Sequence, residues 1–223
     1  MLARIPIAGV HRPTVEGDQP TTWTAGDSRR FLAATRGDRL AAMWAVALTR
    51  GLRRGELAGL CRSAVNLGAG TLQVTATRVM VNGHPQESTP KTKAGRGSVP
   101  LDEHLVALLT AHRAAQNAER SRAGLRKHDR GDTFTNELGA PLSPAGSRTA
   151  WGADEGRGAS ARPPARHAAA TLMLAAGVQP RVVQEMLGHS HVSITLGIYG
   201  HVTPTMGREA GAALSASLLG ARG

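Results

Sequence analysis

Residues 166–202 read RHAAATLMLAAGVQPRVVQEMLGHSHVSITLGIYGHV, and the rest of the chain is organised around them. Apolar spacing predicts helices over about His167–Ala176, Gln179–Leu187 and Ser193–Tyr199, followed by a last amphipathic helix from about Pro204 to Leu219. Arg166 opens the first of these. A cation there opposes the dipole of its own helix, which favours an imported anion as its reason for being there. Leu187-Gly188-His189 forms a turn between helices, and Tyr199, the sole tyrosine of 223 residues, follows ten positions after His189.

A second block lies far upstream: TRGLRRGELAGL, residues 49–60. The two blocks, in this order, resemble the catalytic domain of the tyrosine recombinases, the phage-integrase family. The resemblance implies a mainly α fold with a small antiparallel β-sheet, of the DNA breaking-rejoining type. It further implies site-specific cleavage and rejoining of double-stranded DNA through a 3′-phosphotyrosyl intermediate, by a homo-tetramer on DNA, with no cofactor or metal.

That chemistry needs a nucleophile for phosphorus, positive charge for the non-bridging oxygens, and an acid for the leaving 5′ oxygen. Matched to the family's motifs, the catalytic set is Arg53, Lys91, Arg166, His189 and Tyr199. Tyr199 is the nucleophile; a buried tyrosine bonded to a core group is the alternative. Arginine suits the clamp because its planar fork matches two phosphate oxygens and stays charged. Arg53 matches the first family arginine, with Arg54 its surface neighbour and Glu56 a carboxylate placed to orient or neutralise both. Lys91, in Pro90-Lys91-Thr92-Lys93, matches the acid at a hairpin tip, and Lys93 remains open for that role. His189 would bond the phosphate or position the nucleophile. His191 and His201 are bystanders and form no metal-ligand pattern with carboxylates or cysteine.

The chain departs from the family in places. The family carries a histidine three residues before the second arginine, where this chain has Pro163. Pro163-Pro164 cannot open the helix in the usual way, since proline lacks an N–H and restricts the residue before it. Arg62 and Ala64 stand where relatives often carry Trp and Asp. These losses lead to two expectations, reduced recombinase activity or an inactive remnant that only binds DNA. Residues 1–22 resemble the linker after the helical core-binding domain that relatives carry, so weaker DNA affinity is expected too.

Composition agrees with a polyanionic partner. Lys and Arg number 27 against 16 acidic residues, a formal charge of +11 that suits phosphate neutralisation, although a GC-rich coding bias produces similar counts. Aromatics are only 3%, so the core must be aliphatic. One cysteine, Cys61, excludes an internal disulfide and a Cys-cluster zinc site, and its apolar surroundings predict a buried small residue. No apolar run approaches the roughly 20 residues of a membrane span, and no signal peptide is evident, so a cytoplasmic protein without membrane contact is expected.

Along the chain, residues 1–22 read as an extended arm and 23–223 as the catalytic domain. Thr24 and Asp27 form a capping-box pattern before a helix to about Thr35, and Asp38 is placed to cap a second helix, RLAAMWAVALTR, apolar nearly all round and therefore buried. A third short helix carries Arg54 to Leu60. TLQVTAT and RVMVN alternate as strands, Asn82-Gly83 is a hairpin turn, and SVPL (98–101) is a further strand. Between them STPKTKAGRG reads as a basic, flexible hairpin tip. Residues 102–120 return to helical spacing through Leu105, Leu108, Leu109 and His112. Residues 120–130 read as a basic loop or helix end, DTFTNELGAPLSP (132–144) as a connector, and 145–165 as irregular and poorly ordered, which suggests a rearranged segment.

Overall fold

The computed structural model describes residues 23–89, 98–123, 130–144 and 165–188. Helix α1 (Ala25–Ala34) starts as its sequence requires: the Asp27 N–H donates to Thr24 Oγ1 at 3.1 Å, and the Thr24 N–H donates to Asp27 Oδ2 at 3.0 Å. Helix α2 (Ala41–Arg50) buries every residue from Ala42 to Leu48, as its unbroken apolar character predicts. Asp38 does not cap it. Leu40 holds the cap position, and the Asp38 carboxylate accepts from the Leu40 N–H (2.8 Å) and the Trp44 Nε1–H (2.9 Å) instead. Standing two residues ahead of the cap position, that carboxylate satisfies the one polar atom of a buried tryptophan.

After α3 (Arg54–Ala58) and a 3-10 turn (Arg62–Ala64) come five short strands: β1 (Val65–Asn66), β2 (Thr71–Gln73), β3 (Thr77–Val81), β4 (His84–Ser88) and β5 (Ser98–Pro100). They form two antiparallel sheets, β1-β2-β5 and the hairpin β3-β4. Asn82 (φ 51°) and Gly83 (φ 78°) make the expected hairpin turn, both central residues lying at positive φ. TLQVTAT is not one strand. Its ladder ends at Gln73, while Val74 and Ala76 bury their side chains outside any pairing as the chain crosses to the second sheet. β4 escaped the sequence because HPQES is exposed through its first four residues, so no alternation marks it.

Helix α4 (Glu103–Ala123) extends past Arg120 and Arg122, which lie in its last turn rather than in a loop. Helices α5 (Ala165–Ala175) and α6 (Pro180–Leu187) follow the predicted spacing, and α5 packs on α2. The main core surrounds α2 and takes in Leu72, Val99, Leu105, Leu109 and Phe134; a smaller one joins Ala170 and Leu174 of α5 to Val183 and Leu187 of α6. Phe134 corrects the connector expectation. Residues 132–135 are buried, tied by the Thr133 N–H to Leu60 O (2.7 Å) and by Gln116 Nε2 to Thr133 O (3.2 Å). Cys61 is half-buried, with burial pushing its thiol up, which does not suit a nucleophile. Among the described residues no helix is long and apolar enough to cross a membrane.

The mostly helical architecture with small antiparallel sheets is the expected fold class. The arm at 1–22, the tract 145–164 and the helices expected beyond Gly188 lie outside the described residues.

Candidate functional site

Helix α2 ends at Gly51, whose left-handed backbone (φ 64°, ψ 28°) reverses the chain into Leu52 and Arg53. A side chain could not stand there: a Cβ on Gly51 would lie 2.2 Å from Leu187 Cδ2 and 3.2 Å from Ala169 Cβ. The bare backbone therefore lets the end of α2 touch both α5 and the end of α6. Arg53 is the N-cap of α3 in extended conformation (φ −66°, ψ 151°). An arginine has no acceptor to offer the helix, so only one half of a capping box forms. The Arg53 N–H donates to Glu56 Oε2 at 2.7 Å, while Arg53 Nη1 donates to Glu56 Oε1 at 2.7 Å.

Arg166 stands in the first turn of α5 and reaches across to the same carboxylate, its Nη1 lying 4.0 Å from Glu56 Oε2. Its guanidinium also donates to two backbone carbonyls at helix ends: Gly51 O, 115 residues away in sequence, at 3.1 Å, and Leu187 O at the end of α6. Carbonyls at helix C-termini carry partial negative charge, so this cation is placed where two helix dipoles welcome it. Arg166 therefore has partners inside the protein that outweigh the unfavourable dipole of its own helix.

The two arginines differ in environment. The Arg53 side chain is 49% exposed and that of Arg166 15%, with Glu56 at 9%. Burial, reinforced by the charge of Arg53 and opposed by that of Glu56, brings the Arg166 guanidinium down to about 10. It stays protonated at neutral pH. Two positive groups sharing one carboxylate leave an excess of one positive charge on this corner.

Beside it lies a cavity of about 410 Å³ between the end of α2, strand β5 and helix α6. Arg50, Arg166, Glu56 and Glu185 bring charges of both signs to its wall, and Leu52, Val99 and Met186 bring apolar surface. Arg50 was not singled out by the sequence; it donates to Pro100 O at 2.8 Å and pairs with Asp102 at 2.5 Å, binding α2 to the start of α4. Nothing in its sequence neighbourhood announces a partner 52 positions on.

The sequence model of the phage integrase family matches residues 24–206. The chain belongs to that family. A tyrosine recombinase XerC-like protein of Caldanaerobacter subterraneus is 32% identical over 216 residues, covering 90% of this chain and 55% of that protein. This phage-integrase family member thus spans little more than half the length of the curated relative. Among solved structures, the Tn1549 transposon integrase in complex with transposon right-end DNA superposes with a TM-score of 0.70 at 20% identity, covering 92% of this chain and 68% of that one. The catalytic domain of bacteriophage HP1 integrase matches with a TM-score of 0.52 at 18% identity, covering 90% of this chain and 98% of that domain. These two likenesses establish the fold.

Of the five catalytic candidates expected for a phage-integrase chain, the structure brings Arg53 and Arg166 together around Glu56. Arg54 is exposed, as expected of the surface member of its pair. Lys91, Lys93, His189, His191, Tyr199, His201 and Pro163 lie outside the described residues.

Proposed function

We propose that this chain is the catalytic domain of a site-specific DNA recombinase, with residues 1–22 an arm and 23–223 the domain. It acts on double-stranded DNA as a homo-tetramer. Tyr199 attacks the scissile phosphorus to form a 3′-phosphotyrosyl bond, and Lys91 (or Lys93) protonates the departing 5′ oxygen. Arg53 and Arg166 hold the non-bridging oxygens, and His189 hydrogen-bonds the phosphate. The carrying observation is the convergence of Arg53 and Arg166, from distant parts of the sequence, on one buried carboxylate. An incoming phosphodiester would meet two preorganised guanidinium groups whose mutual repulsion it relieves. The net charge of +11 supports a polyanionic partner. Family membership and the order of the motifs support the remaining roles.

Pro163, in place of the family's histidine, favours a second possibility: an inactive remnant that binds DNA without cutting it. A suicide substrate nicked beside the scissile phosphate separates the two. A covalent protein–DNA adduct that disappears in Tyr199→Phe supports recombinase chemistry. Salt-dependent DNA binding with no adduct at high protein concentration supports the remnant, and recovery of the adduct in Pro163→His would locate the defect.

A further inference from the structure

Behind the two arginines lies a second ionic contact that the catalytic scheme leaves unused. Arg78 of β3 and Asp132 are 4% and 3% exposed, and Arg78 Nη2 meets Asp132 Oδ1 at 3.0 Å. Arg78 Nη1 donates to the carbonyl of Ala58, the last residue of α3. Helix α3 rests on β3 with almost nothing between them. A Cβ on Gly55 would lie 2.5 Å from Arg78 O, and one on Gly59 would lie 3.1 Å from Thr77 Cα. Asp132 is fixed from the other side, where the Arg62 N–H donates to Gly131 O (2.8 Å) and the Thr133 N–H to Leu60 O (2.7 Å).

A buried pair of this kind is a poor source of stability, because desolvating both charges offsets most of their attraction. The cost is evident here: Asp132 Oδ2 is buried and has no hydrogen-bond partner among the described residues. What the pair does achieve is geometric. One guanidinium fork grips the last carbonyl of α3 and the Asp132 carboxylate at once, tying the helix to two separate parts of the chain.

We infer that the Arg78–Asp132 pair is a positioning element that sets the angle of α3, and through it the approach of Arg53 and Glu56 to Arg166. This rests on the assignment of Arg53 and Arg166 to the phosphate clamp. The pair touches no substrate. Its effect passes through α3, whose N-terminus carries Arg53 and whose third residue is Glu56.

Removing one partner alone would strand a buried charge and unfold the protein for trivial reasons. The test is therefore the double apolar variant Arg78→Met/Asp132→Leu, beside Arg78→Lys, which keeps a cation for Asp132 but loses the fork. Hydrogen exchange gives the first readout. In the double variant the Arg53 N–H, which is bonded to Glu56, should exchange at least tenfold faster, with the melting temperature and the α2 and α5 amides unchanged, and Arg78→Lys should fall between. Unchanged exchange at Arg53 overturns the inference whether or not the protein cuts DNA. The second readout is single-turnover adduct formation on the nicked substrate at saturating DNA, expected to drop ten- to a hundredfold with DNA affinity unaltered. A wild-type protein that forms no adduct refutes the recombinase assignment and leaves the exchange result to decide the positioning role. A double variant that cuts at the wild-type rate refutes the positioning role alone.

Discussion

Arg53 and Arg166 end up against the same carboxylate, but by different means. Arg53 is held locally, by a glutamate three residues on in its own helix, with nearly half its side chain in solvent. Arg166 is held by distant parts of the chain, the carbonyls ending α2 and α6, and is mostly buried. A local contact survives small shifts of the fold, whereas a contact between three helix ends exists only while those ends meet. The first arginine is thus left half open to solvent, and the second is part of the framework.

The harshest way to break this contrast is to push the helix ends apart. Gly51→Ala should cost about 3 kcal/mol in urea unfolding, adding left-handed strain to the collision with Leu187. Gly83→Ala serves as control, since it has the same backbone handedness but open space around the missing Cβ, and should cost about 1 kcal/mol. Equal losses at the two positions would show that α2 and α6 do not meet as closely as described.

Removing each arginine sharpens the comparison. Arg166→Met should destabilise by about 1–3 kcal/mol, because two carbonyls lose their donor. Arg53→Met should cost about 1 kcal/mol or less, its ion pair being half in solvent. Both should lower adduct formation on the nicked substrate about a hundredfold or more, since each would withdraw a charge-stabilising donor. Equal stability losses would erase the distinction between framework and site.

Titration probes the shared carboxylate. The Arg166 guanidinium should deprotonate near pH 10 when followed by carbon NMR at Cζ. Glu56 raises that value, so Glu56→Gln should move the midpoint lower still; an upward move would mean that the two side chains do not feel one another.

The smallest effect belongs to a control on the far side of the core. Burial lowers the pKa of His112 below the ordinary value near 6.5, while its Nε2 lies 3.0 Å from Thr133 O. Below about pH 6.5 the unfolded chain therefore binds more protons than the folded one, and stability should fall on acidification by under about 1 kcal/mol per pH unit from this group. His112→Gln, which keeps a donor for Thr133 O, should flatten that slope and leave the Arg166 titration unchanged.

Much of the fold was legible wherever its cause is local. The Thr24–Asp27 capping box, the Asn82-Gly83 turn and the face of α4 carrying Leu105, Leu109 and His112 all depend on residues a few positions apart. Legibility failed where the cause is distant. Phe134 sits in a turn-rich tract and shows no periodicity, yet it is fully buried, because it joins the main core and packs against His112 of α4. Asp38 resembles a helix cap, but Trp44 needs its carboxylate more than α2 does. Arg50 and Asp102 are an unremarkable pair of charges until β5 brings them together.

The sequence by itself determined the helical segments seen among the described residues, the hairpin turn, the excess of positive charge and the family, since capping, periodicity and motif order are written in neighbouring residues. Only the tertiary structure decided that Arg166 answers to two helix ends and to Glu56, and that Arg78 pairs with Asp132 while bonding to the last carbonyl of α3. The physical reason is that these partners are backbone carbonyls and buried charges. A carbonyl is the same in every residue, and a charge has no meaning for its site until folding removes the water around it.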